Sequence, residues 1–217
     1  MDPAMTALTP SEGAAGDAYL LLADISGYAG FLASVGEAHG VDFAEGIPAG
    51  YAVLGALLDT VVQGVQPHFT VAKLEGDAVF ATSPARELDG EGTALLRHLA
   101  GLYSAFRESR SRARVARDHI CTACPNVAAL DLKMILHRGA VVRQAVGPQY
   151  ELLGPAVNVA HRLLKNGISA RLGPLPYLFV TDAAGERLGL PESGLAHVEE
   201  YPDVGTVSGE IFDLARA

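Results

Sequence analysis

The segment Tyr19–Tyr28, YLLLADISGY, decides the fold, because an apolar strand runs directly into a carboxylate and a Ser-Gly turn. Residues 19–25 are typical of a buried strand. A carboxylate at its end has to be hydrogen-bonded, paired or bound to a metal, since an unpaired buried charge is too costly. Asp24 is therefore the first candidate functional residue, and we expect a metal ion to compensate its charge. The alternative is that Asp24 only caps the turn that follows.

Length and composition narrow the class of protein. The chain has 217 residues, 49% of them apolar, which fits one domain with a sizeable core. Its formal net charge of −9 argues against broad electrostatic binding to nucleic acid or anionic membranes. No apolar run is long enough for a transmembrane helix, and the N-terminus lacks the pattern of a signal peptide. Two cysteines without an export signal predict a reducing, cytoplasmic location.

The pattern of apolar residues predicts the element order β-α-α-β-β-α-β-β-α-β-α-β-β. This order is typical of an α+β fold, with a mixed sheet and helices packed on one face. We expect residues 1–17 to be a disordered leader, with a tag remnant possible at 1–4. Residues 18–217 are expected to form one domain, with an insert at about 108–128 that is irregular around HICTACPN.

A second carboxylate, Asp77, lies at the tip of a predicted hairpin in KLEGDAVF. The first strand and this hairpin are expected neighbours in the sheet, so Asp24 and Asp77 can share divalent cations. Oxygen ligands suit Mg²⁺ or Mn²⁺, and the peptide carbonyl of Ile25 is placed to add a ligand. Either aspartate alone is more simply explained as a turn residue.

Asn158 and Arg162 are four residues apart on a predicted helix, PAVNVAHRLLKN, so they share one face. An asparagine can orient a hydroxyl or a base, and an arginine can stabilise charge on a phosphate in a transition state. The alternative is an ordinary polar face of an amphipathic helix. His137 and His161 are predicted to pack or hydrogen-bond inside the fold without a chemical role.

Four ordered motifs, ADISGY, KLEGDAVF, LHRGAVV and LLGPAVNVAHRL, resemble those of class III nucleotide cyclases, the adenylate and guanylate cyclase homology domains. The match spans residues 19–180, and the final hairpin also fits it. The chain resembles more closely a bacterial group of uncharacterised cyclase-like proteins, DUF2652. This group carries a cysteine-bearing insert before the LDLK strand and the ending AHRLLKN. The resemblance implies the ferredoxin-like and palm-like sheet of class III cyclases.

The resemblance also implies roles for individual residues. Asp24 and Asp77 resemble the two metal-binding aspartates, with the carbonyl of Ile25 as a further ligand and two Mg²⁺ or Mn²⁺ ions per site. Asn158 resembles the asparagine that orients the ribose. Arg162 resembles the arginine that stabilises the pentacoordinate phosphorus.

Base recognition follows from the same resemblance. Lys73 resembles the lysine that reads the purine, and Glu151 occupies the second base-selecting position, which is often Asp in adenylate cyclases. Glu151 keeps an acceptor for the adenine amino group, so ATP is the favoured nucleoside triphosphate. The implied reaction is attack of the ribose 3′-oxygen on the α-phosphate, giving cyclic AMP and pyrophosphate. The implied assembly is a homodimer whose protomers each supply part of every site.

Departures from the family pattern keep a second function open. Glu151 is longer than Asp, and its extra methylene could push the base out of register. The inserted segment is a further departure. The last hairpin, YPDVGTVSGEIF, has no lysine or arginine where the family often has a triphosphate-binding lysine. Glu75 adds negative charge beside the aspartates. The alternative to an adenylate cyclase is therefore a cyclase-like module that binds a nucleotide or another ligand for signalling, with weak or no turnover.

The insert raises a separate hypothesis. His119, Cys121 and Cys124 form H-x-C-x-x-C, and imidazole and thiolates at this spacing can hold Zn²⁺. Three of four ligands are local, so the fourth would be Asp118, a distant histidine or a residue of another protomer. Two free cysteines or a redox pair are the alternatives. A zinc site would favour a zinc-linked regulatory or scaffold protein.

Overall fold

The computed structural model describes residues 14–39, 46–115, 124–191 and 193–216. The strands are β1 (Ala14–Ser26), β2 (Thr70–Glu75), β3 (Ala78–Pro84), β4 (Asp131–Val146), β5 (Gln149–Leu153), β6 (Tyr177–Thr181), β7 (Leu195–Tyr201) and β8 (Gly205–Asp213). The helices are α1 (Tyr28–His39), α2 (Ala49–Gly64), α3 (Ala85–Leu88), α4 (Gly92–Val115), α5 (Pro155–Leu163), α6 (Ile168–Leu172) and α7 (Asp182–Leu188), and a 3₁₀ helix covers Cys124–Ala129. The predicted order is confirmed, with the short α3, α6 and 3₁₀ helices in addition. Of the helices described, none is both long and apolar enough to cross a membrane.

The strands form one mixed sheet in the order β2-β3-β1-β4-β6-β8-β7, and β5 pairs with the far end of β4. β4 and β6 run parallel, whereas the other pairs described are antiparallel. β4 has 16 residues, so it pairs with β1 along one edge and with β6 and then β5 along the other. The predicted α+β class with a mixed sheet is confirmed.

β1 lies inside the sheet, between β3 and β4, and its apolar run is buried on both faces. Alternate side chains of a strand point in opposite directions. Tyr19, Leu21 and Ala23 therefore enter one core, and Leu20 and Leu22 enter another.

Helices cover both faces of the sheet, and the prediction of helices on one face is wrong in this respect. α1, α2, α3, α4 and α7 pack on the first face, which we call the broad helical face. α5 and α6 pack on the second, which we call the α5 face. The reason is visible in β1, because a continuous apolar strand needs cover on both sides. α5 supplies that cover through Ala156, Val157, Ala160 and Leu163, which are all buried.

β1 begins earlier than predicted. It starts at Ala14, inside the predicted leader of residues 1–17, because residues 14–17 pair antiparallel with residues 140–143 of β4. An ion pair of 3.0 Å between Asp17 and Arg138 joins the same two strands. Residues 1–13 lie outside the described residues.

α4 enters the segment predicted as an insert. It continues to Val115, and within it Arg110 donates a hydrogen bond to the carbonyl of Leu130 and lies 3.5 Å from the carboxylate of Asp131. His119 and Cys121 fall outside the described residues, and nothing in the structure tests the proposed ligation by Cys124. The zinc site therefore stays a prediction.

Candidate functional site: a charged cleft on the α5 face

The end of β1 carries the first pair of charged side chains. Asp24 follows Leu22 by two residues, so it lies on the α5 face just beyond the apolar core. Its carboxylate, 14% exposed, lies 3.0 Å from the ammonium of Lys133, which is its partner in the β1–β4 register. Lys133 also donates a hydrogen bond to the carbonyl of Leu164, just after α5. Within the chain, a lysine that the sequence analysis did not identify compensates the charge of Asp24.

Asp77 lies beside Asp24, in the turn between β2 and β3. The amide of Ile25 donates a hydrogen bond of 3.1 Å to the carbonyl of Asp77, which joins the two backbones. Burial raises the pKa of Asp77, the negative charge of Asp24 raises it further, and Lys133 acts in the opposite direction. Two carboxylates that repel each other in a partly buried position fit a divalent cation, because its charge would remove the repulsion.

These aspartates would be only part of a metal site. In the four described ranges, no group of three or more His, Cys, Asp and Glu side chains is placed to hold a metal ion. Asp24 and Asp77 would therefore be joined by backbone carbonyls, water or substrate oxygens. Such mixed ligation is usual for Mg²⁺, which keeps several waters and binds through one or two carboxylates and phosphates.

Lys73 on β2 and Glu151 on β5 lie close together, and their shared role in reading the base stays a prediction. The Nζ of Lys73 lies 3.6 Å from Oε2 of Glu151 and 2.8 Å from Oε1 of Glu75. It also lies 5.9 Å from the centroid of the Phe80 ring. The hydrogen bond that Lys73 donates to Glu75 raises the pKa of Lys73, burial opposes this effect, and the charges of both carboxylates add to it. Lys73 is thus held as a cation between two acids.

A cavity of about 490 Å³ opens beside this pair, between the β2–β3 hairpin and β5. Its polar lining residues are Thr70, Lys73, Thr82, Arg143, Gln149, Tyr150 and Glu151. The guanidinium carbon of Arg143 lies 3.6 Å from the centroid of the Tyr150 ring, so this wall is a stacked cation and aromatic ring. A larger open groove of about 660 Å³ lies between α2 and α4, but none of the predicted site residues lines it.

The start of α5 is fixed by Gly154 and Pro155. Gly154 has a φ of +134°, and a Cβ there would lie 2.9 Å from the carbonyl oxygen of Ala140 on β4. Glycine allows this close approach, and proline suits the first turn of a helix. The register of α5 against the sheet, and with it the placement of Asn158 and Arg162, depends on this turn.

Asn158 and Arg162 lie one turn apart on the exposed side of α5. The Nε and Nη2 atoms of Arg162 lie 2.8 and 2.6 Å from Oδ2 of Asp203, in the turn between β7 and β8. This is the hairpin in which the sequence has no lysine or arginine. About half of each side chain is exposed, so the pair contributes little stability. Sequence analysis missed Asp203 as a partner of Arg162.

His137 and His161, the two histidines that were predicted to lie inside the fold, differ. His137 is buried and shares a hydrogen bond of 2.9 Å with Thr181, and burial lowers its pKa to about 4. Its predicted place inside the fold is confirmed. His161 is partly exposed instead, with its Nδ1 3.3 Å from Oε2 of Glu75 and its ring 5.2 Å from that of Phe80. The contact of His161 with Glu75 was not predicted.

Comparison with known proteins decides the family. The family described as "Protein of unknown function (DUF2652)" matches residues 54–171, which is more than half of the chain. The chain belongs to the DUF2652 family. The uncharacterised protein Rv2561/Rv2562 of Mycobacterium tuberculosis is 30% identical over 168 residues, or 76% of this chain and 74% of that protein.

Solved structures show what fold this DUF2652 member has. The guanylyl cyclase Cya2 matches with a TM-score of 0.64 and 15% identity, over 92% of this chain and 93% of that one. The adenylyl cyclase CyaB from P. aeruginosa matches with a TM-score of 0.63 and 14% identity, over 94% of this chain and 97% of that one. A bacterial light-regulated adenylyl cyclase matches 94% of this chain with a TM-score of 0.61 and 19% identity, but this chain spans only 53% of that protein. The fold is therefore that of the adenylyl and guanylyl cyclase domains, as the motifs predicted.

Proposed function

We propose that this DUF2652 protein is a class III nucleotide cyclase that converts ATP to cyclic AMP and pyrophosphate in a homodimer. The observation that carries the proposal is the convergence of two carboxylates in a cyclase fold, Asp24 at the end of β1 and Asp77 in the adjacent β2–β3 turn. Lys73 and Glu151, which would read the base, meet on β2 and β5. The similarity to adenylyl and guanylyl cyclases supports the same class of reaction.

The two aspartates, with the carbonyl of Ile25, would hold two divalent cations, Mg²⁺ or Mn²⁺. When bound, such ions lower the pKa of an attacking hydroxyl and neutralise charge on the transferred phosphate. Lys133 holds its ammonium 3.0 Å from Asp24, so it keeps a positive charge next to the place where phosphates would bind. This cation offsets the lack of lysine and arginine in the β7–β8 turn.

The remaining residues act by positioning and by charge. Lys73 donates to an acceptor of the purine ring, and Glu151 accepts from the amino group of adenine. The carboxylate of Glu151 would repel the O6 atom of guanine, which favours ATP. Asn158 orients the ribose, and Arg162 stabilises the negative charge that develops at the phosphorus.

A homodimer would complete each site. Val142, Val146 and Leu153 lie on one face of the β4–β5 hairpin, and 37%, 53% and 49% of these side chains are exposed. An exposed apolar stripe is typical of an interaction surface. We propose a second copy as the occupant, because a twofold pair lets the aspartates of one protomer face the base-reading and α5 residues of the other.

Product analysis by mass spectrometry tests the proposal. The purified protein is incubated with ATP or GTP and with Mg²⁺ or Mn²⁺, beside Asp24→Ala and Arg162→Ala. Asp59→Ala is the matched control, because Asp59 is exposed on α2 and contacts Gln63. Cyclic AMP formed by the parent and the control, but by neither site variant, supports the proposal. No cyclic product from a folded dimer at high protein concentration with either metal refutes turnover.

A binding module without turnover is the second candidate function. Three candidate side chains already form ion pairs within one protomer, which would compete with the contacts that catalysis needs. These pairs are Asp24–Lys133, Arg162–Asp203 and Lys73–Glu75. A nucleotide at 100 times its dissociation constant would stabilise such a protein by about 2.7 kcal/mol. Thermal stabilisation by ATP without product would identify it.

The zinc-linked regulatory or scaffold protein stays a third hypothesis. Stoichiometric zinc in the purified protein, lost when both Cys121 and Cys124 are changed to Ser, would support it. Zinc-free protein with unchanged stability in the double variant would exclude it.

A further inference from the structure

Glu75 joins two elements of the candidate site. One carboxylate oxygen, Oε1, lies 2.8 Å from the ammonium of Lys73 on the same strand. The other, Oε2, lies 3.3 Å from Nδ1 of His161 on α5. Glu75 is 28% exposed and His161 30% exposed, so both contacts are partly shielded from water. One side chain thus connects strand β2 with helix α5.

The local structure explains why these three side chains meet. Lys73 and Glu75 are two residues apart on β2, so both point to the α5 face. Phe80, the partner of Lys73 on β3, packs against the ring of His161 and lies below the ammonium of Lys73. The aromatic ring therefore supports both partners of Glu75 from one side.

His161 connects this contact to the rest of α5. It precedes Arg162 directly and lies three residues after Asn158, so it moves with the helix that carries both. At the other end, Lys73 is 3.6 Å from Glu151, a longer contact than the one to Glu75. Glu75 is hence the nearer anchor of the base-reading lysine.

We infer that Glu75 is a positioning residue that couples the base-recognition pair Lys73 and Glu151 to α5 through His161. This inference rests on the proposed cyclase function and adds a connection to it. Glu75 does not touch the substrate. It contacts the ammonium of Lys73 with one oxygen and the ring of His161 with the other. When a bound purine displaces Lys73, Glu75 moves and its contact with His161 changes.

Two substitutions separate the two halves of this connection. Glu75→Gln keeps the size of the side chain but removes its charge, so the longer contact to Glu151 becomes the ion pair that holds Lys73. We expect a higher KM for ATP, a reduced preference for ATP over GTP, and a lower kcat. His161→Gln leaves the contact between Lys73 and Glu75 in place, so we expect the preference to stay and kcat to fall about tenfold, as for coupled neighbours.

The experiment compares kcat and KM for ATP and GTP in the parent, the two single variants and the double variant. Glu108→Gln is the control, because Glu108 is an exposed glutamate paired with Arg112 on α4. A second readout needs no turnover. The ¹⁵N signals of the His161 ring are followed by NMR while α,β-methylene-ATP and Mg²⁺ are added to the parent and to Glu75→Gln.

The coupling predicts a double variant whose kcat loss is close to that of Glu75→Gln alone. It also predicts a nucleotide-dependent shift of the His161 signals that is present in the parent and absent in Glu75→Gln. Additive losses, or equal shifts in both proteins, would overturn the inference while leaving the cyclase proposal intact. A parent that neither binds the analogue nor forms a cyclic product would overturn both.

Discussion

The two faces of the sheet use the same strands for different purposes. On the broad helical face, β1 contributes Tyr19, Leu21 and Ala23 to a core closed by long helices. On the α5 face, Leu20 and Leu22 begin a similar core, but the next residue in the alternation is the charged Asp24. A shift of one residue in register would exchange the two sets. The comparison teaches that the face covered by the short helix α5 can hold a site without breaking the main core.

Substitution of one buried phenylalanine on each face should show the largest difference between the two faces. Phe106 lies on the broad helical face and Phe80 on the α5 face, and neither is exposed. Changing either to alanine should lower the free energy of unfolding by about 4 kcal/mol. Only Phe80→Ala should also abolish nucleotide binding, because Phe80 supports Lys73 and His161. Chemical denaturation and nucleotide titration at low temperature check this, and equal effects on binding would contradict it.

Acid should lower the stability of the protein through His137, a buried histidine of the α5 face. Burial lowers the pKa of His137 from 6.5 to about 4, so between these values the unfolded state binds a proton that the folded state does not. The free energy of unfolding should therefore fall by about 3 kcal/mol as the pH drops through this range.

His137→Gln should flatten that dependence in denaturation curves recorded at several pH values. Thr181→Val is the matched control, because it removes the hydrogen-bond partner of His137 but not the titrating ring. We expect the control to be less stable at every pH and to keep the slope. An unchanged slope in His137→Gln would assign the acid sensitivity to other groups.

Removal of the lysine next to Asp24 should have an intermediate effect. Lys133→Met leaves a carboxylate that is 14% exposed without its partner, so the metal-free protein should lose about 1–3 kcal/mol. Mn²⁺ should restore more stability in this variant than in the parent. Arg112→Met breaks an exposed pair with Glu108 and should change little. Melting curves in EDTA and in Mn²⁺ measure both, and no gain from Mn²⁺ would argue against the proposed metal position.

The smallest effect on stability is expected at Asp203. Asp203→Asn breaks a half-exposed pair with Arg162, so the free energy of unfolding should change by less than about 1 kcal/mol. Nucleotide affinity should rise, since the guanidinium is no longer shared. Asp213→Asn, which breaks the exposed pair with Arg216, is the control and should not alter affinity. Equal affinity in all three proteins would show that Asp203 does not compete for Arg162.

Much of the fold could be predicted from local pattern. The apolar run of β1, the Gly-Asp turn before β3 and the proline at the start of α5 are short-range signals, and the structure confirms these elements. The meeting of Asp24 and Asp77 also followed from local reasoning, because the ends of neighbouring strands lie together. The apolar run of β1 also indicates helices on both faces of the sheet, because both of its faces need cover, and the prediction of helices on one face overlooked this.

The contacts that were missed depend on long-range geometry. Lys133 faces Asp24 only because of the β1–β4 register, which the sequence does not specify. Asp203 reaches Arg162 because a turn near the C-terminal end folds back over α5, and residues 41 apart in sequence give no local signal. Charged side chains could be identified as candidates from the sequence, but their partners could not.

The lysine beside Asp24 has one more consequence. A tethered ammonium is a counter-ion whose local concentration cannot be diluted, whereas a dissolved divalent ion competes only according to its abundance. If Asp24 binds a metal as proposed, the fraction of sites that hold a metal would depend on the competition between the divalent ion and Lys133. At a low concentration of divalent ions the carboxylate of Asp24 would stay paired with Lys133, and at a high concentration it would bind a metal ion. The protein would then respond to the supply of divalent ions as well as to the supply of nucleotide.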